Sequence, residues 1–98
     1  MTINKVRIDS ELTLVIEGRL ETTTAPELEA VVKSELAGVA SLIFDLTKLE
    51  YISSAGLRVL LSAQKIMNAQ GAMKIRGANE IVTEIFEITG FSDILTLE

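Results

Sequence analysis

The chain has 98 residues, of which 9 are Lys or Arg and 14 are Asp or Glu, and it contains no His, no Cys and no Trp. Without His or Cys it lacks the usual ligands of zinc, haem and iron–sulfur sites, the nucleophile–base pairs of common hydrolases, and disulfides. A net charge of −5 with a pI near 4.7 argues against nucleic-acid binding, which needs a basic face. We therefore expect no enzyme, no cofactor, no bound metal and no nucleic-acid partner. A protein partner with a basic surface fits the negative charge of this chain better.

Length and hydropathy indicate one small domain over residues 1–98. Most domains have about 100 to 150 residues, and a hydrophobic content of 48% is enough for one core. Polar or charged residues interrupt every apolar stretch well before the ~20 residues that a membrane span requires. The first residues also contain no apolar signal-peptide segment. We expect no direct membrane insertion and a cytoplasmic location.

The first half of the chain predicts a hairpin, a helix and a strand. Alternating apolar and polar residues predict strands over 5–8 and 12–18, joined through Asp9-Ser10-Glu11. Thr24-Ala25-Pro26-Glu27 predicts a helix start in which the Thr24 hydroxyl caps a backbone N–H and Glu27 reaches back. The helical spacing is carried by Leu28, Val31, Val32 and Leu36, and Gly38 closes the helix. The apolar run 41–46 predicts a strand with a covered face.

The second half predicts two helices, each followed by a strand. The first helix is expected to run from Ser53 or Ser54 to about Gln70, with Gly71 as its stop. Residues 72–76 alternate as a strand, and Asn79 then caps a third helix that ends at Gly90. The side chains expected to face inward on that helix are Ile81, Val82, Ile85 and Phe86. Residues 94–97 are predicted as a last short strand.

The resulting order, β-β-α-β-α-β-α-β, predicts a single-domain α/β fold. Alternation of strands and helices implies parallel strand pairs with right-handed crossovers. The opening hairpin supplies the antiparallel part. We therefore expect a mixed sheet of about five strands with three helices packed on it.

The segment from Asp45 to Leu57 carries the functional information. A buried strand ends at Asp45, a short polar connection follows, and two Ser introduce a helix whose first turn otherwise holds only Ala and Gly. The N–H groups and dipole at a helix start favour an anion, and a phosphate there adds about −1.5 to −2 charges. The commoner explanation of a Ser before a helix is an N-cap worth about 1 kcal/mol. Small residues can equally serve close helix–strand packing, so both interpretations stay open on chemistry alone.

One long run of the chain forms a recognisable pattern, Phe44-Asp45-Leu46 followed by Tyr51-Ile52-Ser53-Ser54-Ala55-Gly56-Leu57-Arg58-Val59-Leu60-Leu61. This run resembles the STAS domain, the family of bacterial anti-sigma factor antagonists and of cytoplasmic domains of sulfate transporters. Glu17-Gly18-Arg19-Leu20-Glu21 also resembles the end of the family's second strand. The resemblance implies that Ser54, two residues before Gly56, is phosphorylated by an anti-sigma factor with serine kinase activity. It further implies that the unphosphorylated form binds the anti-sigma factor and that a serine phosphatase restores this form.

Two departures from the family pattern affect what the resemblance implies. Antagonists commonly carry Asp immediately before the phosphorylated Ser, whereas this chain has Ser53, which changes the local charge. The chain also stops at Glu98, without the terminal helix of many family members. From that second departure we hypothesise a weak homodimer.

The resemblance implies a partner-binding set around the phosphorylated Ser. The set consists of Glu21, Thr22, Ser53, Ser54, Gly56, Leu57 and Arg58. Glu21 and Arg58 also have ordinary explanations, as a loop acid and a solvated side chain. The alternative function is a STAS scaffold or regulatory subunit of a transport or signalling complex, in which the two Ser only cap the helix. Nucleotide binding is a weaker third hypothesis.

Overall fold

A computed structural model describes residues 1–98 as one sheet of five strands with three α-helices. The elements are β1 (Thr2–Ile8), β2 (Glu11–Leu20), α1 (Ala25–Glu35), β3 (Ser41–Asp45), β4 (Leu49–Ile52), α2 (Ser54–Asn68), β5 (Ala72–Arg76) and α3 (Glu80–Thr89), followed by a 3₁₀ turn (Phe91–Asp93). The predicted class, an α/β fold with a mixed sheet of five strands and three helices, is confirmed.

The sheet has the strand order β1-β2-β3-β5, and β4 pairs with β2. β1 and β2 are antiparallel, and the other three pairs, β2–β3, β2–β4 and β3–β5, are parallel. The hairpin turns tightly through Asp9, whose φ of 54° is in the left-handed region that Asp tolerates better than most residues. The predicted hairpin and parallel crossovers are therefore confirmed.

β4 is a strand that the sequence did not predict. Residues 47–52 were expected to form a polar connection after the strand, yet Leu49 and Ile52 are buried and pair with the end of β2. The register shifts between Gly18 and Arg19, where Gly18 has a φ of 98°. This irregularity lets β2 pair first with β3 and then with β4 on the same side. Four residues are too few for a clear period, which is why the strand escaped prediction.

The predicted C-terminal strand over 94–97 is wrong. The 3₁₀ turn ends at Asp93, and within residues 94–97 a single parallel bridge joins Leu97 to Ile75. Two backbone hydrogen bonds hold this bridge: Ile75 N–H donates to the Thr96 carbonyl (2.8 Å), and Glu98 N–H donates to the Ile75 carbonyl (2.8 Å). The sheet still has five strands because β4, which was not predicted, replaces the strand predicted over 94–97.

The core lies on the sheet face that the helices cover. Alternate residues of β2 and β3 point into it, and it forms one cluster of 24 buried hydrophobic residues with no buried charged or polar side chain. α2 contributes Leu57, Leu60, Ala63 and Met67 among others, at the spacing of one helix face. None of the helices is long and apolar enough to cross a bilayer.

The helix ends differ in part from expectation. The Thr24 hydroxyl does not cap α1, because it accepts from Glu21 N–H (2.9 Å) and donates to the Arg19 carbonyl (2.8 Å), which fixes the turn before the helix. α1 ends at Glu35 and α2 at Asn68, before the glycines expected to stop them.

α3 follows its predicted ends, and three of its four predicted inward side chains, Val82, Ile85 and Phe86, contact the core. The Asn79 side chain accepts from Val82 N–H (2.8 Å), and Gly90 closes the helix with a φ of 80°. Val82 and Phe86 are buried, as expected. Ile81 was expected to face inward, but its side chain is 57% exposed.

Candidate functional site

The start of α2 is tied directly to the end of β2. Ser53 is the only residue between β4 and α2, and its backbone N–H donates to the Leu20 carbonyl (2.9 Å). Its own carbonyl accepts from Leu57 N–H (2.9 Å), the first bond of the helix. The first turn of α2 is therefore held at the carboxyl edge of the parallel strands, where α/β proteins commonly place functional groups.

Gly56 brings this first turn close to the sheet. It is buried, and a Cβ added to it would lie 2.7 Å from Leu20 Cγ and 2.8 Å from Ile52 Cγ1. Distances this short leave no space for a side chain. Leu57 is also buried, with 4% of its surface exposed. These two members of the predicted partner-binding set lie beneath the surface, where they determine the position of the helix start.

Ser54 lies on the outside of the same turn. It is exposed, it is the first residue of α2, and the first turn contains no acidic side chain. The N–H groups of a helix's first turn have no partner within the helix and carry its positive partial charge. An anion attached to the Ser54 hydroxyl would therefore meet favourable electrostatics.

Ser53 occupies the N-cap position but its side chain does not cap the helix. Its backbone is extended, with φ −100° and ψ 176°, yet no side-chain hydrogen bond caps α2. The Ser53 Oγ is buried and has no hydrogen-bond partner. The N-cap interpretation, which the sequence left open for the two serines, therefore does not apply to the Ser53 hydroxyl.

Two shallow depressions flank the start of α2, and Thr22 lines both. One lies between α1 and α2, where Glu29 lines it opposite Arg58. The other lies above the ends of β2 and β4, where Glu21 and Ser53 line it. The fold thus gathers Glu21, Thr22, Ser53 and Arg58 around the helix start. Arg58 is exposed and makes no ion pair.

Arg19 and Tyr51 belong to this surface and were missed as a pair. They are paired across β2 and β4, and the Arg19 guanidinium carbon lies 4.7 Å from the centre of the Tyr51 ring. Arg19 Nε also donates to Glu21 Oε2 (3.2 Å). A cation held over an aromatic face is stabilised by about 0.5 to 1 kcal/mol at an exposed site. The outward position of Arg19 follows from the alternation of β2, but its aromatic partner lies on the strand that was not predicted.

Asp45 fixes the turn between β3 and β4. Its carboxylate accepts from the Thr47 hydroxyl (2.6 Å), from Thr47 N–H (3.0 Å) and from Arg76 Nη2 (3.1 Å). The bond from the Thr47 hydroxyl is the main cause that lowers the pKa of Asp45, against a smaller effect of burial that raises it. A carboxylate held ionised in this way suits a structural role, and no three Asp or Glu side chains gather as metal ligands.

The model of the STAS domain family matches residues 2–98. The chain belongs to this family. It is 36% identical over 96 residues to the Bordetella bronchiseptica protein named "Putative anti-sigma factor antagonist BtrV", covering 96% of this chain and 83% of that protein. It is 30% identical over 96 residues to the "Anti-sigma-B factor antagonist" of Listeria monocytogenes, covering 96% of this chain and 84% of that protein.

Solved structures share the fold of this STAS domain. An anti-sigma factor antagonist from Mycobacterium paratuberculosis superposes with a TM-score of 0.89 at 21% identity, covering 98% of this chain and 83% of that one. The Bacillus cell fate determinant SpoIIAA in its phosphorylated form superposes with a TM-score of 0.77 at 13% identity, covering 99% of this chain and 91% of that one. At these identities the likeness concerns the fold alone.

Proposed function

We propose that this STAS domain is an anti-sigma factor antagonist that is switched off by phosphorylation of Ser54. The observation that carries the proposal is the exposed Ser54 hydroxyl on the first residue of α2, in a turn without acidic side chains. Two relatives, 36% and 30% identical, carry names of anti-sigma factor antagonists. The partner is an anti-sigma factor with serine kinase activity, and a serine phosphatase reverses the modification.

A phosphate on Ser54 changes the surface without unfolding it. It adds about −1.5 to −2 charges at pH 7, next to the N–H groups and the positive dipole end of α2. Arg58 follows at the i+4 position and makes no ion pair, so its guanidinium is free to pair with the phosphate. An anti-sigma factor that fits the uncharged Ser54 then meets a dianion that it must desolvate, and it dissociates.

The proposed contact surface consists of the accessible residues around Ser54. Glu21, Thr22 and Arg58 surround it and line the two depressions. Ser53 lines one of them, although its hydroxyl oxygen is buried. Gly56 and Leu57 contribute by holding the helix start in place. The domain comprises residues 1–98 and functions in the cytoplasm. It is a kinase substrate and not an enzyme, and it needs no cofactor.

The switch is tested by phosphorylation in vitro. The tagged chain is used to isolate its anti-sigma factor, which is then incubated with the chain and ATP, and modified peptides are sequenced by mass spectrometry. We expect one phosphate on Ser54, none on the Ser54→Ala variant, and unchanged modification of the Ser53→Ala variant. Binding measured by calorimetry is expected to weaken at least about tenfold for Ser54→Asp, equivalent to about 1.4 kcal/mol. An unmodified Ser54, or equal affinity of Ser54→Asp, would refute the switch.

The alternative is a STAS scaffold or regulatory subunit of a transport or signalling complex. The observation that favours it is Ser53, which stands where the antagonists that the sequence resembles commonly carry Asp. The same isolation experiment separates the two functions, because a scaffold would retain a transporter or signalling subunit and no kinase. Weak homodimerisation also stays a prediction, which a sedimentation-velocity series over chain concentration tests.

A further inference from the structure

The net charge of the chain is concentrated near its C-terminus. Residues 1–76 contain nine acidic and nine basic side chains, whereas residues 77–98 contain five acidic side chains and no Lys or Arg. The whole formal charge of −5 therefore belongs to the part of the chain that contains α3. Of these five acids only Glu98 forms an ion pair, with Lys74 (3.3 Å). The other four carry charge that the chain does not neutralise, so this part of the surface attracts cationic groups more strongly than the remainder does.

α3 also exposes an apolar stripe. Ile81 is 57% exposed and Ile88 is 77% exposed, the largest exposed fraction of any large hydrophobic side chain in the domain. Ile85, half-buried, lies between them at i+4 and i−3, so the three side chains form one row along the helix. The adjoining side of the helix, about 100° away, is committed to the core through Val82 and Phe86, and Ile85 packs partly against that core. Ile81 and Ile88 therefore expose apolar surface that the core does not use.

A row of acids runs beside the isoleucines. Glu80, Glu84 and Glu87 are all exposed, and none of them takes part in an ion pair or side-chain hydrogen bond. Elsewhere the domain forms six ion pairs, including the i,i+4 pair of Lys33 with Glu29 on α1. Like charges spaced i,i+4 and i,i+3 on a helix cost a few tenths of a kcal/mol instead of stabilising it. Cations from outside the chain would remove this repulsion.

We propose that α3 is a second docking surface, which binds a basic amphipathic segment of a partner protein. The apolar side of that segment packs on Ile81, Ile85 and Ile88, and its Lys or Arg side chains pair with Glu80, Glu84 and Glu87. A second copy of this chain is the wrong occupant, because it would place acidic row against acidic row. α3 contributes no residue to the two depressions at the start of α2, so the surface is separate from the Ser54 site.

The test uses the full chain and two synthetic peptides of identical Leu and Lys composition. In one the Leu residues fall on a single helix face, and in the other the order is scrambled. Binding is followed by fluorescence anisotropy, and the contact is mapped by amide shifts in ¹⁵N NMR spectra. We expect the amphipathic peptide to shift amides of residues 80–89, to bind more weakly as salt rises, and to bind more tightly than the scrambled peptide.

Matched substitutions separate a specific surface from general attraction to an acidic protein. Ile88→Ser and Glu84→Lys are each expected to weaken binding about tenfold, the loss for an interface side chain worth about 1.4 kcal/mol. Ile8→Ser and Glu11→Lys change the same residue types at exposed positions of the hairpin strands and should leave binding unchanged. All four positions are exposed, and unfolding midpoints verify that the variants fold.

Three results would overturn the proposal. The first is amide shifts that fall outside α3, and the second is equal binding of the scrambled peptide or equal losses in the control variants. The third is self-association in sedimentation that Ile88→Ser abolishes, which would identify a second copy as the occupant. Ser54→Asp is expected to bind the peptide as the unmodified chain does, so failure of the α2 switch and failure of the α3 surface are separately visible.

Discussion

Replacing Gly56 with Ala is expected to destabilise the domain. The added methyl group would lie 2.7 Å from Leu20 Cγ and 2.8 Å from Ile52 Cγ1, whereas carbon atoms in contact are about 3.5 to 4.0 Å apart. Both neighbours are buried, with 0% and 1% exposed surface, so neither can move into solvent. Overpacking of this kind costs about 1 to 3 kcal/mol. The helix propensity of Ala returns at most about 1 kcal/mol, which leaves a net loss of about 1 kcal/mol.

Urea unfolding measures this loss, with Ser54→Ala as the control from the same helical turn. A loss of about 1 kcal/mol corresponds to a fall in Tm of about 4 to 8 °C for a domain of this size. The exposed control should change stability by less than about 0.5 kcal/mol. The m-value should stay constant, because the surface buried on folding does not change.

A double-mutant cycle with Leu20→Ala tests the physical reason for the loss. Leu20→Ala removes two of the three atoms that the new methyl group would meet. Gly56→Ala should therefore cost less in that background than in the parent chain. An equal cost in both backgrounds, or a Gly56→Ala variant as stable as the parent, would refute the assignment of Gly56 to close packing.

Three further predictions concern single side chains. Asn79→Ala should lower the free energy of unfolding by about 1 kcal/mol, because the Asn79 side chain caps α3 and also donates to the Leu49 carbonyl. Ser53→Ala should change this free energy by less than about 0.5 kcal/mol, because the Ser53 hydroxyl has no hydrogen-bond partner. Equal losses of the two variants in urea unfolding would contradict this. Thr47→Ala should raise the pKa of Asp45 in a carboxyl NMR titration, because it removes the main bond that lowers it. The pKa of Asp45 in the folded state lies below its ordinary value of 3.8. The ionised carboxylate therefore stabilises the folded state fully above pH 3.8, and this stabilisation is lost as the pH falls through the folded-state pKa. The free energy of unfolding of the Thr47→Ala variant should accordingly fall less on acidification than that of the parent chain. Leu95→Ala should cost about 2 to 4 kcal/mol, because this side chain anchors the C-terminal segment in the core, and an unchanged unfolding midpoint would exclude such an anchor.

At the candidate site, the helix start with Ser54 and Gly56 was predictable from the sequence, whereas the neighbouring contact of Arg19 with Tyr51 was not. Ser54 and Gly56 could be singled out because small residues at a helix start form a local pattern, and the family resemblance implies that Ser54 is phosphorylated. Arg19 and Tyr51 were missed as a pair because their contact depends on β4 lying beside β2 after the Gly18 irregularity. The unpaired, buried hydroxyl of Ser53 was not predicted for a related reason. The Ser53 backbone N–H donates to the Leu20 carbonyl of a distant strand, and in this position the side-chain oxygen is buried.

By itself the sequence determined the order of the long elements, the parallel sheet with its opening hairpin, the Asn79 cap and the location of the family pattern. These features rest on periodicity and capping chemistry, which act over a few neighbouring residues. Tertiary structure alone decided that residues 49–52 form a strand, that residues 94–97 make one bridge instead of a strand, and that Ile81 faces outward. Each of these depends on which surface lies beside the segment, because pairing partners and burial are properties of distant residues brought together by the fold.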